Sequence, residues 1–261
     1  MDPKEKIEKL AQNGEDRMLL AKVWDRLSSG QRKNIPAFTG FLSLREQELV
    51  RRLVGEQDFS FFGGYAGAER TVACYLPDYL DPAYLCEGEG PVVCLRASFY
   101  ERDRLSHRDF LGSLMGAGIK RETVGDICVG EGVCDFFVLR DISTYVEQNL
   151  TSAGRTKLHI ERVPLENARI PTPEVVTIHD TLASIRLDSV VSAGFRIGRN
   201  LACRHILAGA VAIDGLPCLK PDRAVEEGAV VSVRGLGKIR LTRVKGQTKK
   251  GRIAVEIEKF V

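Results

Sequence analysis

The stretch from residue 91 to residue 163 constrains the fold most, because its apolar residues switch repeatedly between a strand period and a helix period. Val92 to Phe99 reads as a strand, and Ser106 caps a helix that runs to about Ala117 with Phe110, Leu111, Leu114 and Met115 on one face. Val124–Val129 and Val133–Leu139 read as two more strands, parted by Gly130-Glu131-Gly132. A helix near Ile142–Leu150 and a last strand from Lys157 to Val163 complete the order βαββαβ.

That order is ferredoxin-like, and the RNA-recognition motif (RRM) also uses it. Order alone carries no function, because the same layout hosts many unrelated sites. The third strand, VCDFFVL, places Phe136 and Phe137 where RRM proteins carry stacking aromatics, but alternation turns one of them inward and the glycine-rich basic pattern of a nucleotide-stacking strand is missing. Core packing is the expected role of both.

Upstream, Ile7, Leu10, Met18, Leu19, Val23, Trp24 and Leu27 recur at helical spacing, with a break at Asn13-Gly14. Leu44–Val54 forms another helix, opened by a capping box of Ser43 with Glu46 and closed by Gly55. The first 55 residues are therefore predicted to be all-helical. FFGGYAGAER (residues 61–70) lacks the Lys-Ser/Thr of a P-loop, so it reads as a structural turn; an RNA contact through Gly63, Gly64, Gly67 and Arg70 is the other reading. TVACYLP then reads as a strand. In His107-Arg108-Asp109, adjacent helical residues diverge and cannot form a proton relay, so Ser106 and Asp109 are assigned to the helix start and Arg108 to the surface. Gly118 to Glu122 is read equally as a solvated turn or an RNA contact.

Pro164, Pro171 and Pro173 break regular structure after this region. The expected division is an N-terminal mainly helical region at 1–78, an RRM-like domain at 79–165, a linker at 166–177 and a last module at 178–261. Charge is divided unevenly: residues 178–261 carry 15 Lys and Arg against 8 Asp and Glu, whereas residues 1–177 carry 23 against 27. A basic module beside an acidic body points to a polyanion as partner.

Composition narrows the remaining classes. The seven cysteines have no C-x-x-C pair and the four histidines no metal spacing, so free, mostly buried thiols are expected and no metal, cofactor or catalytic constellation is assigned. Apolar runs are far too short for a bilayer span. MDPKEKIEKL carries charges of both signs and no apolar core of a leader, so a cytoplasmic location without membrane contact is expected.

In the last module, Leu187, Val190 and Val191 form a short helix that Gly194 is expected to end, and Arg199–Ala208 forms a second helix stopped by Gly209. Val211 and Ile213 lead into Asp214-Gly215, a type I′ hairpin pair. Arg199 and Arg204 are expected on the exposed side of the second helix, near amides that attract phosphate. The hairpin is expected to wall an anion-binding groove.

The run S-I-R-L-D-S-V-V, G-R-N-L-A-C-R-H-I-L-A-G-A-V-A-I-D-G, K-P and E-E-G-A-V-V resembles the S4 RNA-binding domain over about 60 residues. Gly198 and Asn200 stand where serines are common, and Leu201, Cys203 and Leu207 where polar or basic residues are common, so the helix is less cationic than usual. FLSLREQELV, FFGGYAGAERTVACYLPDY and SHRDFLGSLMGAGIKRETVGDI resemble segments of the bacterial YlmH family, and the likeness runs from about residue 35 onwards.

This resemblance implies an α+β chain: a helical N-terminal region, a ferredoxin-like RRM-like middle domain and a C-terminal S4 domain of the αL type. It further implies a non-enzymatic RNA-binding protein on the large ribosomal subunit, near rRNA and peptidyl-tRNA, acting in quality control of stalled translation. The expected state is a monomer. Candidate RNA contacts are Arg186, Arg199 and Arg204, then Lys220, Lys245, Lys249, Lys250 and Arg252. Two alternatives stay open: an rRNA-modifying enzyme, since pseudouridine synthases also bear an Arg-Leu-Asp like residues 186–188, and a protein-interaction adaptor in cell division.

Overall fold

The computed structural model describes residues 2–55, 59–172, 174–248 and 251–260. The chain divides into two compact units, Met1–Pro171 and Thr172–Val261, and its architecture is α+β.

The first unit opens with α1 (Pro3–Leu10) and α2 (Gly14–Lys33). The break at Asn13 is a cap: its side-chain oxygen accepts from the Asp16 amide at 2.8 Å. β1 (Ala37–Leu42) and α3 (Leu44–Val54) follow. The expectation of an all-helical start fails at β1, because Pro36 and the alternation of AFTGFL favour an extended chain. The partner of β1 lies further along the sequence. β2 (Ser60–Phe62) and β3 (Thr71–Tyr75) join β1 in a three-stranded antiparallel sheet of order β1-β3-β2. The helices are tied by Asp16 of α2, whose buried carboxylate accepts from both terminal guanidinium nitrogens of Arg45 in α3 at 2.7 and 2.6 Å and from the Gln12 amide just after α1 at 3.0 Å.

β4 (Val92–Ser98), α4 (His107–Gly116), β5 (Val124–Val129), β6 (Val133–Leu139), α5 (Arg140–Asn149), a small hairpin of β7 (Ser152–Ala153) and β8 (Thr156–Lys157), and β9 (His159–Val163) come next. The β7–β8 hairpin delays the last strand to His159, two residues later than the sequence suggests. β4, β5, β6 and β9 form one antiparallel sheet of order β5-β6-β4-β9. Val93, Leu95, Ala97, Cys134, Phe136 and Val138 point from it toward Phe110 and Leu114 of α4 and Val146 of α5.

The opposite face is also covered. Val92, Cys94 and Phe137 pack with Phe41, Val72 and Cys74 of the first sheet. FFGGYAGAER is the strap that fastens this cover: Asp126 accepts from the Tyr65 hydroxyl (2.8 Å) and from the amides of Glu69 (2.7 Å) and Arg70 (3.0 Å). Gly64 has φ +98°, and a Cβ there would lie 2.5 Å from the Phe137 ring, so neither backbone nor space admits a side chain. The Arg70 guanidinium turns inward and donates to the carbonyls of Val124 and Phe41, each at 3.0 Å. Burial pulls its pKa below the ordinary value.

The proline-rich stretch begins as part of this unit. Leu165, Ala168 and Ile170 pack on the covered face, and buried Asp135 accepts from the Arg169 amide at 2.6 Å while gripping Arg96 at 2.7 and 2.6 Å.

In the second unit, β10 (Val175–Leu182) starts before residue 178, inside the stretch expected to be linker. α6 (Leu187–Phe195) and α7 (Arg199–Leu207) follow. α6 runs one residue past Gly194 and ends at Arg196 in the left-handed region, φ 52°. Gly194 is needed for a different reason: a Cβ there would lie 2.5 Å from Ile239 Cδ1, so the glycine lets the helix settle onto the sheet. β11 (Val211–Ile213), β12 (Leu216–Pro217), β13 (Val230–Val233), β14 (Gly237–Gln247) and β15 (Ile253–Phe260) complete a six-stranded sheet of order β10-β15-β14-β13-β11-β12. Asp214 and Gly215 both have positive φ, 47° and 78°, as a type I′ turn requires. Leu187, Val190, Val191, Ala202 and Ile206 seal the helices onto Ile239, Leu241, Val255 and Ile257.

Among the described residues no helix is long and apolar enough to cross a membrane, and no cluster of His, Cys, Asp and Glu is arranged to hold a metal ion. All seven cysteines are free; Cys74, Cys94, Cys128 and Cys134 are buried and Cys86 is exposed.

Asp135→Ala would leave the Arg169 amide without its acceptor and the Arg96 guanidinium with only the Asn167 carbonyl. The expected cost is about 3 kcal/mol in urea unfolding, together with faster proteolytic cleavage between residues 166 and 171.

Candidate nucleic-acid interface

The second unit brings cations together at the meeting point of its two helices. The left-handed turn at Arg196 reverses the chain and brings the first turn of α7 beside the first turn of α6. There Asp188, only 2 % exposed, stands between two arginines. Arg199 donates to its Oδ2 from Nε at 2.9 Å, and Nη2 lies 2.8 Å from the same oxygen. Arg186 approaches more loosely: Nη2 to Oδ2 is 3.4 Å, and buried Nε lies 3.4 Å from Oδ1 without hydrogen-bond geometry. Burial opposes charging this carboxylate, yet the Arg199 hydrogen bond and the charges of Arg199 and Arg186 outweigh that cost and hold its pKa below the ordinary aspartate value.

One carboxylate shared by two guanidiniums leaves a surplus positive charge. Both arginines stay accessible, with side chains 55 % exposed at Arg199 and 40 % at Arg186. Their orientation is fixed in advance, which lowers the entropy lost when an anion binds.

The segment preceding β13 borders this cluster: the Leu187 amide donates to the Arg223 carbonyl at 2.8 Å and the Asp188 amide to the Pro221 carbonyl at 3.0 Å. Lys220 and Arg223 therefore emerge, exposed, beside the α6 N-terminus. Arg204 is exposed further along α7 and has no ion pair among the described residues.

The groove beside Arg199 differs from the expected one. A cleft of about 340 Å³ is walled by the end of β10, by Ser189 and Ser192 of α6, and by Arg196, Arg199 and Arg252. The β11–β12 hairpin takes no part in it, because that hairpin lies at the far edge of the sheet from β10.

The remaining candidate residues are separate from the cluster or already engaged. Lys245 is paired with Glu256, which also lies 3.5 Å from His179 Nδ1. The Lys245 hydrogen bond is the main reason the Glu256 pKa is lowered. Arg252 donates from Nε to the Thr181 carbonyl at 3.2 Å and hydroxyl at 3.0 Å, so it serves partly as a clamp between neighbouring strands. Lys249 and Lys250 lie outside the described residues. Sequence reasoning missed Arg196 and Arg223; the turn Arg196-Ile197-Gly198 was the available signal for the first, and nothing local marked the second.

In the first unit the aromatic pair is core. Phe136 and Phe137 are both 0 % exposed, and Phe137 is covered by Tyr65, with ring centroids 5.1 Å apart. Asp109 accepts from the Ser106 amide (2.8 Å) and hydroxyl (2.6 Å), the capping role expected of it. In the Gly118–Glu122 turn, the Arg121 guanidinium donates to the Val124 carbonyl at 2.6 Å and Glu122 pairs with Lys22 at 3.1 Å, so both are held by the fold.

One unit carries a four-stranded antiparallel sheet closed on both faces and the other a basic cluster built on two short helices, which defines a two-unit α+β protein. Residues 99–167 match the family model described as "Putative RNA-binding domain in YlmH". The chain is 32% identical over 239 residues to the ribosome-associated protein quality control protein P2 of Bacillus subtilis (strain 168), covering 90% of this chain and 91% of that one. The chain belongs to the YlmH family. The solved structure of the cell division protein ylmH from Streptococcus pneumoniae shares the fold, with a TM-score of 0.51 at 20% identity over 62% of this chain and 98% of that one.

Asp188→Asn should loosen the α6–α7 junction, seen as faster amide hydrogen exchange in the first turns of both helices. Because the folded pKa is depressed, the stability that Asp188 supplies is complete above about pH 4 and is lost as pH falls through the folded value. Below that point the wild type should exchange like the variant.

Proposed function

We propose that this protein is a non-enzymatic RNA-binding factor that associates with the large ribosomal subunit in the cytosol and acts in quality control of stalled translation, contacting rRNA and peptidyl-tRNA. In this reading the second unit is an S4 domain of the αL type, and β4 to β9 form an RRM-like domain. The observation that carries it is the pair of guanidiniums fixed on Asp188, flanked by exposed Arg204, Lys220 and Arg223. Rigid arginines suit recognition of phosphate and sugar by shape, with little reading of base sequence. The family and the printed names of its relatives supply the ribosomal context.

The same geometry supports the non-enzymatic reading. Asp188, the aspartate of the Arg-Leu-Asp that raised a modifying enzyme as an alternative, is buried and engaged by two arginines. A carboxylate so held is a scaffold for cations.

The test is co-sedimentation of the full chain with purified large subunits across a salt series. Arg199→Ala combined with Arg204→Ala should weaken association at least ten-fold and flatten the dependence on salt by between one and two counterions. Unchanged association would remove the α6–α7 cluster as the contact.

A further inference from the structure

We infer that the first unit carries a second RNA-contact surface, at the rim of the four-stranded sheet, where the loop joining β4 to α4 meets the β7–β8 hairpin. This rests on the RNA-binding reading above and assigns part of it to residues outside the C-terminal unit. The sheet face that could stack nucleotides is closed over Phe137. Any RNA contact by this domain therefore falls on its edges.

The rim carries cations that the fold does not use. Arg102, Arg104, Arg108 and Arg155 are exposed, and among the described residues none is paired with a carboxylate. This contrasts with the inward-turned Arg70, Arg96 and Arg121 of the same unit. The Arg102 guanidinium lies 5.0 Å from the ring centre of Tyr100, which is 71% exposed, so an aromatic face and a cation are offered together to solvent. Arg104 closes the short turn 101–103 in the left-handed region, φ 34°, with its amide donating to the Glu101 carbonyl. Asp109 is occupied by the Ser106 amide and hydroxyl, and among the described residues neither Glu101 nor Asp103 is ion-paired with these arginines.

Helix α4 supplies a bare flank beside these cations. Gly112 stands one turn after Arg108 on the same face, is exposed, and would find nothing within 4 Å of an added Cβ. Neither packing nor a turn requires glycine in this helix interior, where it lowers stability. It does permit a strand's sugar-phosphate backbone to lie close against the helix. The hairpin is docked on the same helix, with the Gly154 amide donating to Ser113 Oγ at 3.3 Å, so exposed Arg155 directly follows that contact in the chain. Cations on both sides of a bare helix face match a single RNA strand, whose phosphates meet arginine and whose bases meet Tyr100.

The experiment uses the full chain, fluorescein-labelled bulk transfer RNA as probe, and heparin as a polyanion without bases. The triple variant Arg102→Gln, Arg108→Gln, Arg155→Gln should bind the RNA about ten-fold more weakly and lower the salt slope by about 2. Gly112→Leu should leave the thermal midpoint unchanged or raised, weaken RNA binding several-fold and leave heparin binding unchanged. Unaltered RNA affinity and salt slope in the triple variant would overturn the inference. So would equal losses for heparin and RNA together with a silent Gly112→Leu, the behaviour of a general polyanion surface. The Arg199→Ala, Arg204→Ala protein, assayed in parallel, keeps the two readings apart: a loss there with none in the triple variant leaves the C-terminal assignment standing and removes the rim, and the converse removes the C-terminal cluster and keeps the rim.

Discussion

Strand β6 is apolar on both of its faces, and the rest of the first unit answers to that. Cys134, Phe136 and Val138 alternate with Phe137 and Leu139, so the sheet cannot leave either side in water. Burying a phenylalanine contributes about 2–3 kcal/mol, which makes a second cover a condition of stability. α4 and α5 provide one layer. β1 to β3 provide the other, fastened by Asp126 and by the Arg70 guanidinium spread across backbone carbonyls. Once both faces are closed, the domain has only edges and loops for contact with a polyanion.

The second unit solves a different problem with similar means. Its sheet has helices on one side only, and the charged work is concentrated where the two helices begin. A single buried carboxylate is enough to hold two guanidiniums and too little to neutralise them. Asp188 therefore joins the starts of the two helices and sets the direction in which the cations face.

Local signals carried most of this. Gly130-Glu131-Gly132 marked the ends of β5 and β6 to the residue, and the Ser43–Glu46 box placed α3. β1 escaped because its local signal, Pro36 before a short alternation, is interrupted by strand-weakening Gly40, and the strand is completed by β3, which pairs Ala37 with Tyr75. The site divides in the same way. Exposure of Arg204 follows from helical period alone. The hold of Asp188 on Arg199, eleven positions away, requires the turn at Arg196. The engagement of Arg252 by Thr181, 71 positions away, requires the pairing of β10 with β15. Of the rim arginines only Arg108 lies in a family-like segment, and what sets the group apart is seen in three dimensions: no carboxylate partner among the described residues, and the exposed Tyr100 ring under Arg102.

The pairing of β10 with β15 has a mechanical consequence. Val175 stands opposite Phe260 and Leu182 opposite Ile253, so the strand by which the chain enters the second unit runs antiparallel to the strand that completes it. Tension drawn between that entry and Phe260 would load the ladder one rung at a time, peeling it like a zipper. Pulling instead between Leu182 and Phe260 would shear all the rungs together, and the same strands would yield only at a much larger force.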